Sequence, residues 1–512
     1  MRKSFVVYKK YLKIPSDYSA ESVVAVLTDQ AEMLDFIISY SEKGKDYAYI
    51  DVKDFIGKAI SVDCEKDLII KQTNYCPFYK QYKNRPMVHY TTPYGHMNDP
   101  NGLFYKDGEY HIYYQCHPYS PSSKGNDFWS RQNWAHATTK DFVKFTYHGM
   151  PIRYDSNGAA WSGSAIVDRQ NVSGYGSKDN PAVLYYWTLA PRQTFVCEQS
   201  PYVQILSVSN DNGKTIEHKG VCLPNVKPEN RDPKVVFCQE LGCYVMALFI
   251  EEPNVFGLFR SNNLINWELV QQIKMEDDRE CPNFFPLTAD DGKVKWVFLT
   301  AGGKYLVGDF KKGKYSAGQP IKTTNYSNFT TATQVFDGEE NLSISWLHVP
   351  YTEGQNFAGA LTFPVKYFLK KIGQEYLIHQ KPYGIEKLMK KPKVLPDGEQ
   401  TIDLKDKAYL LDLKLTANGV QHIKINNHVC TVDFDKKILY LNQSQMSFEC
   451  DKTLSLQILI DRHCVELYAQ NGLYNLSECK PHDKKQTLLV LPQTACSVQL
   501  TGLKHLKYKK GE

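Results

Sequence analysis

Apolar and polar residues alternate along most of this chain in short runs, broken by Asn, Asp, Gly, Pro and Ser. A period of two marks strands, whose successive side chains face opposite sides of a sheet. Residues 4–8, 23–27 and 47–52 are such runs near the start, and 87–90 and 110–114 follow. Residues 454–462 and 465–468 alternate in the same way near the end. No long amphipathic helix and no glycine-rich phosphate loop interrupts them, so the expected class is all-β. A Ser or Thr, a polar pair, an apolar residue and an aromatic recur at 138–145 and 261–267. Loose recurrence of hairpins suits a β-propeller. A Lys/Pro-rich junction at 386–398 marks a boundary. Three parts are expected: a small N-terminal β domain (1–76), a propeller (82–372) and a C-terminal β unit (385–512).

At 512 residues the chain has room for two or three domains. The 35 Tyr and 24 Phe favour strands and supply flat faces for stacking. A net charge of +5 argues for neither nucleic acid nor a membrane surface as partner. No apolar run approaches the ~18 residues of a spanning helix. Lys9 and Lys10 interrupt the first apolar stretch, so no signal-peptide core is expected. Residues 505–510 form a short basic tail, expected to be a solvated end. The 13 cysteines are odd in number and scattered, which predicts reduced thiols and a cytoplasmic protein. Cys238 and Cys243 lack a second Cys or His pair, so neither a metal nor a cofactor is expected.

Three acids sit beside prolines at the edges of strand-like runs. Residues 96–102 read His96-Met97-Asn98-Asp99-Pro100-Asn101-Gly102, and Pro100 restricts the backbone of Asp99. Arg231-Asp232-Pro233 repeats the device, and Glu280-Cys281-Pro282 places a glutamate before a third apolar run. Turns are the commonest use of such residues. Three acids held alike nevertheless suit glycoside hydrolysis, which needs two carboxyl groups across the scissile bond. They lie far apart in sequence and can meet only through the fold.

The chain resembles glycoside hydrolase family 32, the β-fructosidases (invertases, inulinases, levanases), from about Tyr82 to Lys504. The likeness is carried by 96–102, Tyr114-Gln115, Trp134-Ala135-His136-Ala137 with Trp129 before it, Trp161-Ser162-Gly163-Ser164, residues 231–235 and Glu280-Cys281-Pro282-Asn283. Residues 305–310 further resemble the exo-acting levanase and inulinase branch. The resemblance implies a five-bladed β-propeller with a C-terminal β-sandwich. It also implies an N-terminal β-sandwich-like domain like that of some bacterial fructan β-fructosidases. Asp99 is then the nucleophile, Glu280 the acid/base and Asp232 the transition-state stabiliser. His96, Met97, Asn98, Gln115, Trp129, Trp161, Ser162, Arg231 and Cys281 are the implied sugar-binding residues. Retention implies carboxyl groups of Asp99 and Glu280 roughly 5–5.5 Å apart. It also asks for a Glu280 carboxyl kept protonated by burial or by its fellow acids, with Cys281 a tuning thiol.

Three departures bear on specificity. His96 replaces the family's tryptophan at the pocket floor, Asn283 replaces a carboxylate, and a tyrosine is missing near Thr331. The expected activity is hydrolysis of terminal β-fructofuranosyl residues from sucrose, fructo-oligosaccharides or fructans. A fructosyltransferase and a non-catalytic fructan-binding protein are the alternatives. The expected partner is a carbohydrate, and the flanking sandwiches offer surfaces for a homodimer.

Overall fold

The computed structural model describes every residue except 18, 19, 21, 30–32, 45, 80–83, 120–130, 156, 191–200, 277, 339, 353, 354, 406, 482–487 and 512. Among the described residues there is no α-helix, only short 3-10 turns such as Ile385–Lys387. Five successive, mainly antiparallel sheets follow one another from Gly95 to Pro382. Their innermost strands are Gly95–Lys106, Ala159–Val167, Asn230–Cys238, Asn283–Thr288 and Thr330–Val335. Each packs against the next and the fifth against the first, which closes a five-bladed propeller.

Innermost strands in a propeller splay around an axis and cannot pair in ladders, yet their backbone groups are buried and need partners. Side chains supply many of them. Asn101 of blade I accepts from Gly163 N of blade II at 3.2 Å. Ser164 of blade II donates to Pro233 O at 2.7 Å and accepts from Val235 N at 3.1 Å in blade III. Asp232 accepts from Cys281 N at 3.0 Å, just ahead of blade IV. Asn283 accepts from Val335 N at 2.9 Å and donates to Thr333 O at 2.5 Å in blade V. Blade V returns to blade I through the backbone: Asp337 N donates to Leu103 O at 2.8 Å, and Gly95 N to Asn356 O at 2.7 Å.

The recurrent hairpin read at 138–145 and 261–267 is a turn between the third and fourth strands of a blade. Thr139 Oγ1 accepts from Phe142 N at 2.9 Å, and Asp141 Oδ1 from Val143 N and Lys144 N at 2.9 Å each. Asn263 Oδ1 repeats this with Ile265 N and Asn266 N at 3.0 Å each. Side chains that mimic a backbone turn let Phe142 and Leu264 adopt positive φ (56° and 62°). Blade II uses Ser209 and Asp211 similarly, an instance the sequence reading missed.

Two six-stranded sheets form the C-terminal sandwich, and their inner faces share a dry core that includes Leu411, Leu413, Ile423, Ile458 and Leu467. At the N-terminus, a four-stranded and a three-stranded sheet enclose a core that includes Leu12, Ile14, Phe36 and Ile50. Tyr119 of the propeller joins that core. Pro15 sits in the strand Tyr11–Ser16, where only Tyr47 lies opposite it, so its missing N–H costs no ladder bond.

Two expectations fail. Residues 87–90 form no strand. Instead Met87 N and Val88 N donate to the Asp461 carboxylate at 2.9 and 2.8 Å, and His89 Nδ1 lies 2.9 Å from it. The basic tail is no solvated end either. Lys507–Lys510 pairs in parallel with Lys144–Ile152 at the rim of blade I. Leu506 is buried and Tyr508 stacks on Tyr79 at 3.7 Å, while the lysines alternate outward.

Asp461, Arg462 and Glu466 form a structural polar cluster. Arg462 Nη1 donates to Arg85 O at 3.0 Å, and Glu466 accepts from Phe363 N at 3.2 Å and Tyr468 OH at 2.7 Å. Burial works to raise the Asp461 carboxyl, but the bond and charge of His89 and the two N–H donors hold it down at about 2. Such a group stabilises the fold above its unfolded value near 3.9 and loses that contribution as pH falls through about 2. Asp461→Asn is therefore expected to cost about 3 kcal/mol at pH 7. Urea melts should show the gap from wild type closing between about pH 4 and pH 2.

Candidate functional site

A cavity of about 500 Å³ opens at the propeller axis, on the side where the innermost strands begin. Asp99 of blade I, Asp232 of blade III and Glu280, just ahead of blade IV, share its wall with Asn98, Gln115, Trp161, Ser162, Arg231 and Cys281. Register shifts lie on four of the five innermost strands at this level. They fall between Met97 and Pro100, Ala160 and Gly163, Arg231 and Lys234, and Thr331 and Gln334. Each bulge breaks the strict in-and-out alternation and re-aims side chains at the axis. Asp232, Glu280, Cys281 and Ala332 take positive φ here (63°, 62°, 41° and 52°), a conformation L-residues hold only under constraint.

A relay of amides and hydroxyls fixes Asp99. Asn98 Nδ2 donates to Gln115 Oε1, Gln115 Nε2 to Ser162 Oγ at 2.8 Å, and Ser162 Oγ to Asp99 Oδ2 at 2.6 Å. Burial raises the Asp99 carboxyl above the usual range, Ser162 offsets part of the rise, and the Glu280 charge adds to it. Burial pushes Asp232 up to about 7, against the pull of Arg231 and with further upward push from Glu280. The Cys281 thiol lies 3.5 Å from Asp232 Oδ2 and 3.7 Å from Asp99 Oδ2. Burial, reinforced by the surrounding carboxylates, raises its pKa far above the usual thiol value, so it stays a neutral donor between two acids.

Glu280 is the most exposed of the three acids, with its side chain 43% accessible. Arg231 Nη2 donates to Glu280 Oε1 at 2.7 Å, while Nη1 reaches Glu229 and Glu251 at 3.2 and 3.1 Å. One guanidinium thus orients the most exposed of the three acids and counters the charge of two more carboxylates. Burial opposes its charge, but Asp232 and Glu280 outweigh that and keep Arg231 a cation.

The structure corrects other expectations. His96 and Met97 do not form the cavity floor; both are buried behind the wall. The His96 ring meets Trp346 edge-on at 5.8 Å, and Trp346 itself lines the cavity. Burial pushes the His96 imidazole down to about 3, so it is a neutral support. Asn283 faces the neighbouring strand instead of the cavity, as its bonds to blade V require. Trp129 lies outside the described residues. Glu229, Asp278, Arg279, Thr331 and Trp346 line the cavity and were not singled out as site residues. Glu229 and Arg279 are charged neighbours of matched motifs, which was the one available signal. Among the described residues no cluster of three His, Cys, Asp or Glu could hold a metal ion.

The sequence profile of the "Glycosyl hydrolases family 32 N-terminal domain" matches residues 89–382. The chain belongs to glycosyl hydrolase family 32. Among its relatives, a levanase of Bacillus subtilis is 30% identical over 292 residues, which cover 53% of this chain and 40% of the levanase. A fructan beta-fructosidase of Streptococcus mutans is 24% identical over 488 residues, covering 82% of this chain and 33% of the relative. The chain thus spans less than half the length of these two relatives. A levanbiose-producing levanase of Bacillus subtilis is 26% identical over 486 residues, covering 82% of this chain and 90% of its own. The crystal structure of an exo-inulinase from Aspergillus awamori superposes with a TM-score of 0.73 at 20% identity, covering 84% of this chain and 99% of that one. That likeness establishes the propeller-plus-sandwich fold.

The raised Asp232 carboxyl yields a stability prediction. A folded-state value of about 7, above the unfolded value near 3.9, gives stability that is full below pH 3.9 and falls as pH rises through 7. Asp232→Asn should be roughly 1–2 kcal/mol more stable than wild type at pH 8, and the advantage should vanish near pH 4. Thermal melts at both pH values check this; a variant less stable at pH 8 contradicts it.

Proposed function

We propose that the chain is a retaining exo-β-fructosidase, hydrolysing terminal β-D-fructofuranosyl residues of sucrose, fructo-oligosaccharides or fructans. The observation that carries this reading is the meeting of Asp99, Asp232 and Glu280 in one sugar-sized cavity of a family 32 chain. Cavities of about 300–1,000 Å³ are typical of small-ligand sites. Levanase, fructan beta-fructosidase and levanbiose-producing levanase are the names of the relatives and add support.

In this reading Asp99 attacks C2 of the terminal fructosyl unit. As the bond from C2 to the leaving oxygen breaks, Glu280 gives that oxygen its proton. An ester joins Asp99 to C2. Water then attacks C2, loses a proton to Glu280 and releases fructose with the Asp99 carboxylate restored. The Ser162 hydroxyl keeps Asp99 Oδ2 directed, and Asp232 accepts from sugar hydroxyls. Trp161 and Trp346 offer flat walls for the C–H faces of the sugar. A division at 1–76, 82–372 and 385–512 belongs to the same reading. It is supported by strand pairing that stays within each part, apart from Lys507–Lys510 on blade I and Glu375–Pro382, the last strand of blade V, which lies past residue 372.

Product analysis on sucrose, inulin and levan tests the reading. Free fructose is expected from each substrate that turns over; growing oligosaccharides from concentrated sucrose would mark transfer instead. Asp99→Asn should lower kcat by about 10⁴-fold or more with the thermal midpoint little changed. Glu280→Gln should slow substrates with poor leaving groups most, since they depend most on protonation. An equal loss for all leaving groups would reassign Glu280.

A further inference from the structure

A second cavity, of about 660 Å³, lies on the opposite face of the propeller, where no catalytic residue reaches. The strand Gly95–Lys106 links the two faces: Asp99 stands near its start, and Tyr105 and Lys106 form its end. At a rise of about 3.3 Å per residue, the two places are about 20 Å apart. Nothing in the proposed mechanism uses this cavity.

Its two sides differ in chemistry. One side is aromatic. Tyr105, 42% exposed, packs on Tyr110 at 4.7 Å, and Phe336 and Tyr383 extend the surface at 5.7 and 6.4 Å from Tyr110. The other side carries charges that are pinned and balanced. Lys106 Nζ donates to Asn212 Oδ1 at 2.6 Å and Asp107 Oδ2 at 2.9 Å. Arg169 Nη1 donates to Asp337 Oδ2 at 2.9 Å, and Glu340 pairs with Lys366. Each charge has its counter-charge, so the cavity has no net attraction for an anion. Fixed donors and acceptors opposite an exposed ring suit a ligand with many hydroxyls and apolar C–H faces.

We propose that this far-face cavity is a second, non-catalytic binding site for a neutral oligosaccharide, with Tyr105 as its stacking platform. The choice of a fructan chain as the ligand rests on the fructosidase reading; the site itself does not. Such a site holds a long substrate on the protein between cleavages without touching the reacting bond.

Electrophoresis through gels containing inulin or levan tests it, with Asp99→Asn as the background so that the polymer is not digested. Asp99→Asn is expected to be retarded relative to a polymer-free gel. Adding Tyr105→Ala should weaken the apparent affinity by about tenfold, and Tyr105→Phe, which keeps the ring, should not. In the otherwise wild-type chain, Tyr105→Ala should leave kcat/KM on sucrose within about twofold while KM on the polymer rises. Equal retardation with and without Tyr105, no retardation of Asp99→Asn, or a parallel loss on sucrose and polymer would each overturn the proposal. A wild-type chain that released no fructose from any substrate would defeat the fructosidase reading alone. Gels holding starch or xylan would then decide the site by the same Tyr105 comparison.

Discussion

Buried backbone amides around a splayed ring of strands must find partners that no ladder can give them. Most of the structure around the axis follows from that requirement. Asn101, Ser164, Asp232 and Asn283 each bridge one innermost strand to the next segment around the ring, and the backbone of Asp337 completes the circuit. All four of these polar residues sit within the motifs that hold the acids and Trp161 of the cavity. Structure and chemistry therefore compete for the same short segments. Asp232 does both: one oxygen anchors Cys281 N, and the carboxyl lines the cavity.

The second requirement is electrostatic. Three carboxyl groups in one cavity repel, and the protein answers unevenly. Asp99 receives neutral donors from Ser162, Asn98 and the Cys281 thiol. Asp232 receives a backbone N–H and is pushed towards neutrality by burial. Glu280 alone bonds to the guanidinium and stays open to solvent. Environments that differ this much allow acids of similar intrinsic strength to take different roles. The bulges and left-handed residues that bring them together are strained, and the interlocked ring over-determines them.

Much of this was legible in the chain. Six of the seven runs read from alternation fall on strands, and the Thr139-Lys140-Asp141 turn showed its repeat because its side chains make the bonds themselves. The three acids stood out through their prolines. Other features could not be read locally. Residues 87–90 look like a strand, but their N–H groups go to Asp461, more than 370 residues away. The tail at 505–510 carries the alternating pattern of an edge strand, and its lysines masked the buried Leu506 and the half-buried Tyr508. Motif position suggested that His96 faces the sugar, yet a bulge two residues on decides which side chains turn inward. Trp346 takes a place on the cavity wall with no motif to announce it.

The account stands on where a fructosyl unit sits relative to Asp99. A crystal structure of Glu280→Gln with a fructo-oligosaccharide bound in the axial cavity measures this directly. The account predicts the anomeric C2 about 3–3.5 Å from an Asp99 carboxylate oxygen, with the glycosidic oxygen facing residue 280. A terminal fructosyl unit seated in that cavity with C2 turned away from Asp99 would contradict it.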